Sequence, residues 1–239
     1  MKSLREIWDA QAEEWIRFAR TPGHDLAAQL VNVPSFLELL PPPPRRLLDV
    51  GCGEGRLGAM YRERGYEVVG VDASPRLVEA ARERHEAVLG DAAALPFGDA
   101  SFDLVTMFMS LHDFDEPAAA VAEAARVLRP GGHVCLAVEH PFSAAGAFES
   151  REPEARFVVD GSYLDVQRTS VEHERNGISV TLAKLAGPLG WYARMLEDAG
   201  LLIEAMREPV PPDEAVEAYP SLARRLRVPL FLQLRALKP

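Results

Sequence analysis

Cysteine is scarce in this chain. The 239 residues hold two, Cys52 and Cys135, both in apolar β-like contexts. No disulfide scaffold can be built from them, and no C-x-x-C or His/Cys cluster offers zinc spacing, so no metal is expected. A reduced, cytoplasmic setting is the default for such a chain. Long apolar runs are also missing, and none approaches membrane-spanning length. Met1–Asp9 carries charges where a signal peptide needs an apolar core, so an unexported protein is expected. Positive charge is in deficit: 26 Lys and Arg stand against 36 Asp and Glu, giving a net charge of −10. That balance weighs against nucleic acid and anionic membranes as partners. A monomer or homodimer acting on a small molecule is the expectation.

The chain is 48% hydrophobic and long enough for one sizeable core with an appended lid. Leu4, Ile7, Trp8, Ala12, Trp15 and Phe18 recur at helical spacing over residues 4–20, with Gln11 the one polar residue on that face. Thr21–Asp25 breaks this helix, a second covers 25–40, and Pro41–Pro44 forms a stiff link. Residues 1–44 therefore read as a helical lid, and 45–239 as the main domain. From residue 46 strands alternate with helices, which predicts an α/β fold with a doubly wound, mostly parallel sheet. Ser74 is placed as an N-cap, with Pro75 opening the helix behind it. Residues 142–186 break the rhythm, with short β-like pieces at Phe157–Val159 and Ile178–Val180, and read as an inserted cap.

The most informative stretch is Leu47-Leu48-Asp49-Val50-Gly51-Cys52-Gly53-Glu54-Gly55-Arg56. It reads as strand, glycine-rich turn and helix start, where free N–H groups and bare backbone can meet a ligand. A second apolar run, Glu67–Val71, ends in Asp72, nineteen residues past Gly53, where a carboxylate can hold ribose hydroxyls. The glycines follow G-x-G-x-G, and Arg56 stands where a dinucleotide fingerprint has its last glycine. Asp49 beside the loop repels phosphate and suits a cation. A ligand with ribose hydroxyls, a positive group and no phosphate fits, and S-adenosylmethionine is one.

With Leu47–Gly55, Val69–Ser74, Gly90–Ala92, Leu95–Phe97, Phe102–Val105 and Val127–Gly132 in this order, the chain resembles the class I S-adenosylmethionine-dependent methyltransferases. It looks most like the ubiquinone/menaquinone-type, small-molecule branch. The resemblance covers residues 45–140 well. It implies a Rossmann-like, seven-stranded sheet with the last strand antiparallel, and S-adenosylhomocysteine as product. It further implies that Asp49, Gly51, Cys52 and Gly53 lie beside the methionine arm. Asp72 would take the ribose, Ala73 the adenine face, and Asp91 and Ala92 the adenine edge. Met109 and Ser110 would lie near the sulfonium. Asp72 and Asp91 also have a plainer reading as caps, and Cys52 as a small filler without a partner base.

Methyl transfer needs an aligned acceptor and, if that acceptor carries a proton, a base. His112 and His140, past the fourth and fifth strands, are the catalytic candidates, each with the alternative of a structural hydrogen bond. Trp15, Arg20 and His24 are candidates to close the lid over the cofactor, the indole face attracting a sulfonium, with simple helix docking as the alternative. Tyr163 is a further pocket candidate. Relatives often carry His-Arg-Pro-Leu where this chain has Ala186-Gly187-Pro188-Leu189, so a substrate assignment does not carry over there. The rival readings are a catalytically silent cofactor-binding protein or regulatory subunit, a nucleic-acid methyltransferase, and an NAD-linked oxidoreductase.

Overall fold

Strands and helices alternate from residue 46 onward in a computed structural model that describes residues 2–239. The main run comprises β1 (Arg46–Val50), α4 (Arg56–Glu63), β2 (Glu67–Asp72), α5 (Pro75–Arg82), β3 (Glu86–Leu89), β4 (Phe102–Phe108), α6 (Pro117–Val127) and β5 (Leu128–Glu139). After residues 140–188 it resumes with α8 (Leu189–Asp198), β10 (Leu202–Arg207), α9 (Asp213–Ala218) and β11 (Phe231–Leu237). The seven strands lie in the order β10-β11-β5-β4-β1-β2-β3. β11 runs antiparallel to both neighbours, and the pairings among β1 to β5 are parallel. This is the expected Rossmann-like sheet with its last strand reversed.

Parallel strands covered on both faces read as continuous apolar runs, and alternation then sorts their side chains. Leu48 and Val50 of β1 join Val69, Val105 and Leu136 in one core beneath α6 and α8. Leu47 faces the opposite core with Val68, Leu104 and Cys135, covered by α4 and α3 (Val33–Leu39). Asp49 falls on that second face, in register with Thr106 of β4.

The N-terminal segment departs from the predicted single helix. It forms α1 (Leu4–Ala10) and α2 (Ala12–Arg20), broken at Gln11 with φ −111° and ψ 11°. The Gln11 side chain explains the break. Its amide donates to Thr181 O (2.8 Å) and its carbonyl accepts from Thr181 N (2.6 Å), so it serves as one more rung on a strand edge. The predicted 25–40 helix begins as a wide π turn over Ala28–Asn32 and continues as α3 past Pro34, whose missing N–H suits the irregular start. Gln233 of β11, fully buried, bonds Asn32 and Ser35 and ties this helix to the sheet.

Residues 140–188 leave the sheet. They form the short α7 (Pro141–Ala144) and the hairpins β6/β7 (Gly146–Phe148, Phe157–Val159) and β8/β9 (Gln167–Arg175, Ile178–Ala186). The second hairpin is three times the length that Ile178–Val180 alone suggests. Its Ile178 and Val180 pack on Phe18 of α2. Ser74 occupies the expected N-cap position of α5, but its hydroxyl donates to Asp9 (2.6 Å) and does not cap the helix.

Candidate active site

A cavity of about 930 Å³ opens outside the carboxyl ends of β1, β2 and β4, under α1, α2 and the β8/β9 hairpin. The turn after β1 forms its floor. Gly51 has φ +73°, and a Cβ there would stand 2.5 Å from the Ser110 Cβ. The two loops touch so closely because the Ser110 hydroxyl donates to Val50 O (2.6 Å). Gly51→Ala is therefore expected to cost about 2 kcal/mol or more, from left-handed strain plus the collision, and to lower Tm by roughly 4–8 °C. Thermal denaturation checks this, and an unchanged Tm means the Ser110 loop gives way freely. Gly53, at φ +56°, faces open space, with only the Trp15 indole nitrogen near.

Carboxylates ring this floor. Asp72 accepts Gly53 N–H (3.0 Å) on one oxygen and Ser74 N–H (2.9 Å) on the other, which ties the β1 and β2 loops together. Burial pushes its pKa up, and the backbone N–H groups oppose that. Asp49 is 2% exposed and accepts one hydrogen bond, from the Thr106 hydroxyl (2.8 Å). Burial carries its pKa to about 7; the Thr106 bond opposes the shift, while Asp72 and Glu54 add to it. A buried acid with one partner has acceptor capacity left for a cation. Asp91 accepts Ala93 N–H (2.9 Å), as a cap does, and lies 3.5 Å from the Arg5 guanidinium of α1.

Arg56 also lines this cavity, with its charge paired. Its guanidinium turns to Asp25 (3.0 Å) and sits 5.8 Å from the Trp15 ring centre. Met109 adopts φ +56°, a backbone state rare outside glycine and a mark of functional loops, just before Ser110. Of the residues expected at a cofactor, Asp49, Gly51, Cys52, Gly53, Asp72, Ala73, Asp91, Ala92, Met109, Ser110 and Trp15 all line this one cavity. Burial raises the Cys52 thiol well above its usual range, which suits a filler.

A family model described as a methyltransferase domain matches residues 48–136. A demethylmenaquinone methyltransferase of Thermus thermophilus is 40% identical over 144 residues, covering 53% of this chain and 65% of that one. Its counterpart in Renibacterium salmoninarum is 40% identical over 103 residues, 41% of this chain and 44% of that one. A solved S-adenosylmethionine-dependent methyltransferase from Mesorhizobium loti superposes with a TM-score of 0.71 at 26% identity, over 85% of this chain and 96% of that one. Residues 48–136 are thus similar to a methyltransferase domain, and the fold is similar to that of a solved S-adenosylmethionine-dependent methyltransferase. The chain spans about half the length of the curated relatives it matches, and these include the menaquinone-type branch.

Two of the candidates fall outside the cavity. Arg20 points along the outer side of α5, to Glu83 (3.0 Å) and Ala80 O (3.3 Å), because α2 turns its apolar face to the domain. His140 is spent on structure. Its Nδ1 accepts Phe142 N–H (3.1 Å) at the start of α7, which leaves Nε2 to donate to Glu208 (2.8 Å). Tyr163 likewise accepts Leu189 N–H (2.9 Å) at the start of α8. Gly187 abuts the Trp191 ring, and a Cβ would stand 2.5 Å from it.

His112 does line the cavity, 5% exposed, with a buried Nδ1 that has no hydrogen-bond partner among the described residues. Burial, and then the Lys184 charge, bring its pKa down to about 3, so it stays neutral. Asp113 lies 3.5 Å from it, and burial pushes that carboxyl well above its usual range against the pull of Lys184. Lys184 itself pairs with Glu139, and both line the cavity. The alternation Ile178, Val180, Leu182 points residue 184 inward, so Lys184 was readable once the hairpin's length was known.

Proposed function

We propose that this protein transfers the methyl group of S-adenosylmethionine to a small organic acceptor, leaving S-adenosylhomocysteine. The observation that carries the reading is the buried Asp49 beside Asp72 at the tips of β1 and β2. Together they offer one acceptor for an ammonium and one for a ribose diol, on a floor where the Arg56 charge is held by Asp25. When bound, the cofactor supplies an electrophilic methyl group on a sulfonium.

The chain's own residues do the rest. Asp49, Gly51, Cys52 and Gly53 hold the amino-acid arm, Asp72 the ribose, and Ala73, Asp91 and Ala92 the adenine. Met109, Ser110 and Trp15 wall the sulfonium, and α1, α2 and the β8/β9 hairpin exclude water. Residues 1–44 serve as the lid of the 45–239 domain, with 142–186 as the cap. Across the cavity, His112, Asp113, Lys184 and Glu139 face the acceptor, and Asp113 is the group placed to take its proton. A small molecule fits this enclosed end better than nucleic acid does, and the negative chain charge agrees.

Calorimetry tests the donor. S-adenosylhomocysteine is expected to bind tightly, whereas tight NADH binding without a response to S-adenosylhomocysteine sinks the reading. The affinity also carries a pH signature. Asp49, raised to about 7, is mostly protonated at pH 6 and mostly ionised at pH 8. An ammonium partner favours the ionised form, so affinity rises with pH across this window, by up to roughly tenfold. Asp49→Asn is expected to flatten that dependence. In the ligand-free protein the same raised pKa makes the folded state bind the proton more tightly than the unfolded chain, so stability falls as pH rises from about 4 to about 7. A pH-independent affinity in the wild type rejects the Asp49 role.

A further inference from the structure

Several arginines of this acidic chain cluster beside the cavity, and two of them, Arg151 and Arg224, line it. Arg224, Arg225 and Arg227, from the 3₁₀ segment Pro220–Leu226 and the residue after it, place their guanidinium groups 5.2, 5.1 and 5.9 Å from the ring centre of Phe148. Arg151 comes from the turn that follows Phe148. None of the four forms an ion pair among the described residues. Arg224 donates to Ser150 O (2.7 Å), Arg225 to the Ser143 hydroxyl (2.7 Å), and Arg227 to Pro153 O and Ala155 O. All these acceptors are neutral. The Arg151 side chain makes no hydrogen bond at all among the described residues, and Arg224 Nε is buried without a partner.

Clustered cations without carboxylates repel one another, and two shifts show it. Burial lowers the Arg224 pKa, with Arg151 adding to the effect, and burial and Arg224 lower that of Arg225. Glu139 pulls the other way on Arg225, but it is already bound to Lys184. Other surface arginines here behave differently: Arg76, Arg126 and Arg129 each hold a carboxylate. Arg151 and Arg224 line the same cavity as Asp72 and Asp113, together with Tyr219 and Ser221. The face of Phe148 lies near the three guanidinium groups, and the N–H groups not used by those neutral acceptors remain for a planar or tetrahedral anion.

We propose that Arg151 and Arg224, backed by Arg225, bind an anionic group of the methyl acceptor, a carboxylate or a phosphate ester, at the end of the cavity away from the glycine loop. The proposal rests on the methyltransferase reading for what the anion belongs to. The anion site itself stands on the arginine geometry. An acceptor anchored there is held by one end, while its other end reaches toward Asp113 and Met109. The acidic remainder of the surface turns anions away elsewhere.

The test titrates the full-length protein, loaded with S-adenosylhomocysteine, with malonate and with inorganic pyrophosphate in a calorimeter. Saturable binding of at least one probe at millimolar concentration is expected. Malonate alone identifies a carboxylate site, pyrophosphate alone a phosphate site, and either result supports the proposal. Arg224→Gln and Arg151→Gln are each expected to weaken that binding roughly tenfold or more. Arg168→Gln, on the exposed β8 strand, is expected to leave it unchanged. Arg151→Gln breaks no internal bond, so it remains informative if Arg224→Gln fails to fold. No saturable binding of either probe, or binding indifferent to Arg151→Gln, overturns the proposal. S-adenosylhomocysteine titrated separately keeps the two readings apart. Anion binding without it removes the methyltransferase reading alone.

Discussion

Asp113→Asn is expected to lower kcat by about 10²- to 10⁴-fold for an acceptor that reacts through a protonated oxygen or nitrogen, with S-adenosylhomocysteine affinity unchanged. The expectation follows from how two neighbours divide their environment. His112 and Asp113 lie side by side behind Ser110, and burial shifts them in opposite directions. The imidazole, brought down to about 3, is too weak a base to take a proton near neutrality, although its lone pair can still orient one. Burial pushes the carboxyl up, which makes its carboxylate form the stronger base towards an acceptor's proton. Lys184 opposes that shift, and Asp72 adds to it. His112→Gln should therefore cost less than Asp113→Asn. Single-turnover methylation, with cofactor affinity measured in parallel, checks both. An unaffected rate in a folded Asp113→Asn variant returns this carboxyl to a structural role.

The parts of the molecule legible in the sequence are those written in local signals. The run Leu47–Gly55 needs only its own φ angles and apolar alternation to become a strand and turn, and it does so. Asp72 ends its strand where the register of β1 with β2 requires. What was not legible depends on partners far along the chain. Gln11 breaks its helix for Thr181, 170 residues away. His140 follows the end of β5, but Pro141 starts a helix at once, and the imidazole turns back to satisfy Phe142 N–H. Arg20 falls on the outer side of α2 because Ile16, Phe18 and Ala19 take the inward face. The arginines of the Pro220–Leu226 segment carry no period that a sequence pattern can detect, and only Phe148, on a distant hairpin, gathers them. The residues of the β1 and β2 turns are thus local and readable. The opposite cavity wall comes from the inserted hairpins and the C-terminal connection, whose residues meet only in the folded chain.

Asp72→Ala tests the donor side most sharply, because two roles of one carboxylate predict different readouts. As a cap, Asp72 serves the protein alone: it accepts Gly53 and Ser74 N–H groups that alanine leaves without a partner. That loss costs stability, about 1–3 kcal/mol for buried donors left unpaired, and appears in thermal denaturation. As a ribose acceptor, Asp72 also serves the ligand, and its removal weakens S-adenosylhomocysteine by a similar energy, roughly 5- to 150-fold in Kd. Asp72→Asn separates the two. The amide oxygen keeps one acceptor for the loop and sustains much of the fold, but the amide nitrogen cannot accept a ribose hydroxyl and the charge is gone. We expect Asp72→Asn to melt near the wild type yet bind S-adenosylhomocysteine at least tenfold more weakly, and Asp72→Ala to lose both. Wild-type affinity in the asparagine variant shows that the carboxylate holds the Gly53 turn and nothing more. The ribose must then be sought on the backbone of Ala73 and Ser74.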